Sequence, residues 1–464
     1  MKNINIKKLF KSGVAANIII LTASIVLIYL LISLYFARHF FFNTVINGVD
    51  VSLKAHDDVC DRIRSYIKDY KLQLIERNGE IEEIKGQDIG MQCNEKNGIF
   101  KDCRMQNSFK WASSLVRDQK CYVPDLFIYN KDNLENRINE LKCLNNDTIE
   151  SQNVSFRYSN GSYEAVREVY GNKIYKDKLI EAIEMSISEG KAKLDLNENL
   201  CYENPKYTLS SEKTAETRNL LNKYVLTKIT YIFGSENEIL DGNIINQWLS
   251  VDENLDAVIN NEAVKEYVQG LCEKYDTVSI ARKFKTSAKK IVEVKGGFYG
   301  WRINCAVETK SLVENIKLGE VLEKEPVYTQ KAVSRGEDDI GNTYVEINIT
   351  RQLLWFYKDG KLITQGPVVT GNPNRGNSTK LGVYMLNYKQ KGSTLRGANY
   401  EAEVTYWMPF NGNIGMHDAS WRYSFGGDIY KTNGTHGCVN CPLYLAKAIF
   451  DNIEDGTPVI CYEE

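Results

Sequence analysis

Gly415-Met416-His417-Asp418 and, a short way downstream, Thr435-His436-Gly437-Cys438-Val439-Asn440-Cys441 form the stretch on which the reading of this chain turns. Among 464 residues there are four histidines and eleven cysteines, and two of each fall here. His417 precedes Cys438 by twenty-one residues, and His436 precedes it by two. A thiol becomes a working nucleophile when a base removes its proton and fixed donors hold the oxyanion that its attack creates. His417, Cys438 and the small Gly437 are the residue types for that arrangement.

Outward from this stretch the chain reads as strand. Tyr344 to Ile349 alternates apolar and polar, Leu353 to Tyr357 is a second apolar run, and Asp359-Gly360 marks a tight hairpin from which Leu362 to Thr370 returns. Short strands also fit Gly382–Tyr388, Val404–Pro409 and Pro458–Tyr462. One helix is expected after Cys438, with Leu443, Ala446, Ile449 and Phe450 on one face and Pro442 near its start. Residues 343–464 therefore read as a compact, mostly-β domain.

The spaced set His417, seventeen residues, then Thr435-His436-Gly437-Cys438-Val439-Asn440 resembles the signature of the L,D-transpeptidases, the YkuD-type domain of bacterial cell-wall enzymes. That signature is a His, a spacer, then Ser/Thr-His-Gly-Cys-hydrophobic-Asn or -Arg. The resemblance runs from Thr343 to about Tyr462 and includes Gly371-Asn372 and Tyr406-Trp407-Met408-Pro409-Phe410. It implies a β-sandwich-like catalytic domain with Cys438 as nucleophile and His417 as its base. Backbone N–H groups of Gly437 and Cys438 would form the oxyanion hole, with His436 and Thr435 shaping the pocket. Thr435, Asn440, Tyr406, Trp407 and Met416 are the expected substrate contacts, although Tyr406 and Trp407 read equally well as core. Asp418 would orient the His417 ring through its carbonyl or its carboxylate. Where the family carries Thr-Pro-x-Gly this chain has Thr379-Lys380-Leu381-Gly382, and losing the proline frees a φ angle in that turn.

The implied chemistry is thioester formation with a peptidoglycan stem peptide, then transfer to an amine of a second stem peptide, giving a 3→3 cross-link. The imidazole and a following helix N-terminus are expected to lower the thiol pKa. No metal or cofactor is required, and carbapenem-type β-lactams are implied as covalent inhibitors. With water as acceptor the same site would make an L,D-carboxypeptidase or endopeptidase, and with a silent site the chain would be a wall-binding scaffold. Two readings of other chemistry stand beside these. His417, His436, Cys438 and Cys441 have the residue types of a closed zinc site, and Cys438-x-x-Cys441 has the spacing of a redox pair.

Lys2, Lys7, Lys8 and Lys11 precede an uncharged run over 13–37, long enough to span a bilayer. The basic segment 1–12 should stay in the cytoplasm, making 13–37 a single-pass anchor with an extracytoplasmic body in the cell wall. Lys+Arg 58 against Asp+Glu 60 gives a net charge of -2, so there is no basic excess for nucleic acid. Cys93 with Cys103, or Cys121 with Cys143, are candidate bridges whose pairing the sequence leaves open.

The fold class expected is thus multidomain: a transmembrane helix, α+β modules, and the mostly-β catalytic domain. Residues 44–123 read as a first module, with a helix from Val59 to Tyr70 and a hairpin around Asn78-Gly79. Residues 124–326 carry an internal echo. Val169-Tyr170-Gly171 leads to a helix ending at Gly190, and Phe298-Tyr299-Gly300-Trp301 leads to one ending at Gly319. Together with Asn47-Gly48-Val49-Asp50-Val51 and Asp88-Ile89-Gly90 these modules resemble the peptidoglycan-binding domains that accompany some L,D-transpeptidases. Residues 327–342 are polar and read as a linker.

Overall fold

The uncharged N-terminal run forms one helix, α1 (Gly13–Tyr35). Its Ala15–Tyr35 stretch has a mean hydropathy of 2.6 and is long enough to cross a bilayer at about 1.5 Å per residue. A single-pass anchor and a signal sequence fit it equally. The computed structural model describes residues 13–96, 98–336, 338–397 and 400–464, so the basic segment 1–12 lies outside the described residues.

The chain divides into two compact units, one of residues 1–155 and 165–211, the other of 156–164 and 212–464. No division falls at 123/124. The strand Thr44–Ile46 pairs in parallel with Gln119–Cys121, and the Asn47 carboxamide donates to the carbonyl of Val123 and accepts its N–H. Those bonds, and a core running from Phe40 to Tyr202, join the two sides of that position.

In the first unit α2 (Val59–Asp69) buries Val59, Ile63 and Ile67, the four-residue spacing of one helix face. It leads into a hairpin of β1 (Lys71–Ile75) and β2 (Ile81–Lys85) whose turn uses Gly79 at φ +86°. Helix α3 (Lys176–Ser188) buries Leu179, Ile183 and Ile187 and delivers β3 (Lys193–Asp195) parallel to β1. The second unit repeats the plan. Helix α4 (Glu212–Val225) precedes the hairpin of β4 (Lys228–Phe233) and β5 (Glu236–Leu240), and α5 (Cys305–Leu318) delivers β6 (Val321–Lys324) parallel to β4. Gly319 ends α5 in the left-handed region at φ +70°. The echo in the sequence is the visible edge of this topological repeat, with one copy in each unit.

Disulfides join Cys103 to Cys121 and Cys272 to Cys305, so neither expected bridge forms and Cys93 and Cys143 are free thiols. Residues 327–342 are not a loose linker. Tyr328–Gln330 is a strand, Ala332 and Ile340 join a core with Trp301, Val383 and Ile460, and Asp339 is buried against Arg282 (side chains 7% and 4% exposed). Both Asp339 oxygens accept from that guanidinium, at 2.8 and 2.7 Å, which makes the burial of the charge affordable.

The C-terminal residues form two sheets around one core. The first has the order β9-β8-β7-β15-β10, from β7 (Tyr344–Asn348), β8 (Leu353–Lys358), β9 (Lys361–Pro367), β10 (Gly382–Met385) and β15 (Pro458–Tyr462). The second has the order β11-β12-β13-β14, from β11 (Gln390–Gly397), β12 (Tyr400–Asn411), β13 (Ile414–Asp418) and β14 (Val439–Cys441). The long β11–β12 hairpin was expected only as a short strand at 404–409. Helix α6 (Leu443–Asn452) buries Leu445, Ala446 and Ile449 against this core.

Candidate active site

The site is organised by the register of β13 and β14. They run parallel, with Met416 opposite Val439, His417 opposite Asn440 and Asp418 opposite Cys441. Side chains alternate between faces along a strand. Met416, Val439 and Cys441 share the inner face and are fully buried in the core. His417 and Asn440 share the other face, and Cys438, two residues before Asn440, extends it. His417 and the Cys438 thiol thus arise from neighbouring stretches of backbone.

His417 is 3% exposed, between the rings of Trp407 and Trp421 at 5.9 and 6.0 Å. Its Nδ1 lies 2.9 Å from the carbonyl oxygen of Asp418. A carbonyl only accepts, so Nδ1 carries the proton and Nε2 keeps its lone pair. The Asp418 carboxylate does other work, accepting the N–H groups of Thr405 and Tyr406 at 2.8 and 2.7 Å and tying β12 to β13.

Cys438 Sγ donates to the carbonyl of Asn413 at 3.7 Å. Burial pushes the Cys438 thiol above its ordinary pKa and holds His417 below its own. The resting pair is therefore a neutral thiol and a neutral imidazole. The expected lowering by a helix N-terminus is not seen, because α6 starts only at Leu443, beyond β14.

Hydrogen bonds fix the loop before the thiol. Thr435 Oγ1 accepts the Gly437 N–H at 3.0 Å and donates to the Cys438 carbonyl at 2.5 Å. Thr379 Oγ1 accepts the Gly371 N–H at 3.0 Å and donates to the Gly437 carbonyl at 2.7 Å. Gly437 adopts φ +124°, where an L side chain is strained, and a Cβ on Gly371 would lie 1.9 Å from the Asn377 carbonyl oxygen. Asn440 exchanges two backbone bonds with Val369, and Thr435 bonds Thr370 and Asn372. The turn without its proline is held by Thr379 and by a backbone bridge from Val383 to Gly297.

Several expectations need correcting. Met416 and Tyr406 face the core, Tyr406 against Phe450, so neither touches a substrate. Trp407, paired with His417, is on the site face, as are Asn440 and the nearly buried Thr435. His436 is exposed. Cys441 points to the opposite face from Cys438. Three steps of extended chain from one to the other span roughly 10 Å, beyond the ~7 Å that a disulfide tolerates, so the redox pair is ruled out. The zinc reading falls on the same geometry. Among the described residues the His, Cys and carboxylate groups close enough to share an ion are Glu76, Glu82 and Cys143, not the quartet expected here.

The sequence reading missed Arg422, in the Asp418-Ala419-Ser420-Trp421-Arg422 run just after the base. Its Nη2 donates to the Asn433 carbonyl at 2.8 Å, while its Nε is buried without a partner. Its charge acts on His417 in the same sense as burial. An arginine five residues after a catalytic-type histidine was the available signal.

Residues 342–461 match the family described as "L,D-transpeptidase catalytic domain". Residues 83–195 and 207–322 each match the family described as "Putative peptidoglycan binding domain". Among solved structures, a cysteine-to-serine mutant of the Enterococcus faecium L,D-transpeptidase is 33% identical, with 53% of this chain and 100% of that one covered and a TM-score of 0.43. The Ldtfm–avibactam carbamoyl enzyme is also 33% identical, covering 54% and 99%, with a TM-score of 0.44. The catalytic domain of the E. faecium L,D-transpeptidase acylated by ertapenem is 39% identical, covering 26% and 97%, with a TM-score of 0.25. Among curated proteins, none matches the chain.

Proposed function

Because this chain belongs to the L,D-transpeptidase family, with its catalytic domain behind peptidoglycan-binding domains, we propose that it cross-links peptidoglycan through an acyl-enzyme on Cys438. The observation that carries this is the β13–β14 register, which sets His417 opposite Asn440, two residues after Cys438. His417 Nε2 takes the thiol proton as Cys438 Sγ attacks an amide carbonyl of the donor stem peptide. The C–N bond breaks, the terminal D-amino acid leaves with the proton, and a thioester remains. An amine of a second stem peptide then attacks the thioester and regenerates the thiol, leaving a 3→3 link.

The backbone N–H of Cys438 is the main oxyanion donor in this proposal. The Gly437 N–H is held by Thr435 Oγ1, and joins in only when that hydroxyl turns. Arg422, with its Nε buried and unpartnered, is the cation for a carboxylate of the donor peptide. Trp407 and Trp421 wall the cleft around the base, and Asn440 and Thr435 support it. Residues from about 40 onward lie outside the membrane, held at the wall by α1 and the peptidoglycan-binding domains. The E. faecium enzyme acylated by ertapenem supports carbapenem attack on the same thiol here.

Muropeptide tetrapeptides incubated with the protein test the reading. D-alanine release together with a 3→3 dimer is expected, and neither should appear with Cys438→Ala. D-alanine without dimer would make the enzyme a hydrolase.

A further inference from the structure

The first unit holds a second gathering of reactive side chains, independent of the site above. Glu76 directly follows β1, Glu82 lies on β2, and Cys143 belongs to the short helix Lys142–Asn145. One carboxylate oxygen from each glutamate and the Cys143 sulfur all lie within 4.8 Å of one another. The two glutamates are fixed in different ways. Glu82 is oriented by the N–H groups of Lys142 and Cys143, at 2.9 and 3.0 Å. Glu76 is 8% exposed, and its Oε1 is buried with no hydrogen-bond partner. A buried acceptor without a donor is rare in folded proteins and calls for an occupant.

We propose that Glu76, Glu82 and Cys143 form a binding site for one thiophilic divalent cation of the zinc class. A thiolate with two carboxylates excludes calcium and magnesium, which prefer all-oxygen shells, and suits an ion that accepts both sulfur and oxygen. Three protein ligands leave the fourth tetrahedral position to water. The cation supplies the missing partner of Glu76 Oε1 and brings together a hairpin and a helix some sixty residues apart in sequence. Binding through a thiolate displaces the thiol proton to solvent.

The test uses the full chain in detergent with Cys438→Ala, which removes the active-site thiol from the measurement. Cd2+ reports through its ultraviolet thiolate charge-transfer band, and Zn2+ through native mass, proton release and melting temperature. One ion per chain, proton release on binding and a raised melting temperature are expected. Cys143→Ser should abolish the band, which separates this thiol from the other free cysteines. Glu76→Gln keeps size and fold, and should weaken Zn2+ at least tenfold. The proposal is overturned if the band survives Cys143→Ser, or if Glu76→Gln binds as tightly. It is equally overturned if the parent chain takes up no ion, and a melting temperature raised by Glu76→Gln would then mark a proton shared between the two carboxyls.

Discussion

His417 Nδ1 sits 2.9 Å from the main-chain carbonyl oxygen of Asp418, while the Asp418 side chain turns to the N–H groups of Thr405 and Tyr406. The residue after His417 thus sets the ring's tautomer with its backbone and the strand pairing with its carboxylate. No side-chain substitution at 418 removes the first of these bonds.

The two roles separate experimentally. Asp418→Ala should strand the buried N–H of Tyr406, costing about 1–3 kcal/mol, and free the half-buried N–H of Thr405, and so lower the melting temperature by several degrees. Asp418→Asn keeps an acceptor oxygen and should recover part of the loss. Thermal unfolding of the three proteins decides it, and a wild-type melting temperature for Asp418→Ala would refute the anchoring role.

The pH dependence follows from burial. His417 must be neutral to accept the thiol proton, and burial holds its pKa below 6.5. The acid limb of the acylation rate should therefore fall below the ordinary histidine range, leaving the enzyme active at pH 6.5. Stability carries the same sign. Below pH 6.5 the unfolded chain binds a proton that the folded one resists, so this residue's contribution is intact above that pH and is lost as the pH falls. Acylation rates measured across pH 4–8 would sink this account if the acid limb lay above 6.5.

Thr379 ties the turn that lacks a proline to Gly371 and Gly437. Thr379→Val keeps the shape and removes both the acceptor for Gly371 and the donor to Gly437. The expected result is a loss on the order of tenfold in kcat, as an oxyanion loop loosens, with little change in KM. Thr379→Ser should rescue most of it, which a purely steric role would not predict.

Arg422 is assigned to the donor's carboxylate. Arg422→Gln should raise the donor KM on the order of tenfold or more, the scale of a charge-assisted hydrogen bond. Acylation by an uncharged small thiol reagent should change far less. Equal losses for both would mean that Arg422 only supports the fold.

How much of this could be read beforehand differs from residue to residue. Cys438 and His417 could be singled out as candidates because few residue types do this chemistry and their spacing is distinctive. Which neighbours join them was not, because that depends on strand register. Met416 and Tyr406 are adjacent to site residues in sequence yet face the core, since side chains alternate along β13 and β12. The polar segment at 327–342 looked like a linker because Asp339 is satisfied by Arg282, fifty-seven residues away. The disulfides likewise join cysteines that only the tertiary fold brings together. The repeat showed only faintly, because topology persists where its side chains have changed.

The central claim is that Cys438, activated by His417, carries the acyl group. Intact mass of the full chain after incubation with a carbapenem, and separately with a donor tetrapeptide, tests it most directly. The account predicts one covalent adduct per chain on the wild type, none on Cys438→Ala, and slow formation on His417→Gln. An adduct of equal yield on Cys438→Ala, or on a cysteine other than Cys438 when the adducted peptide is mapped, would contradict it.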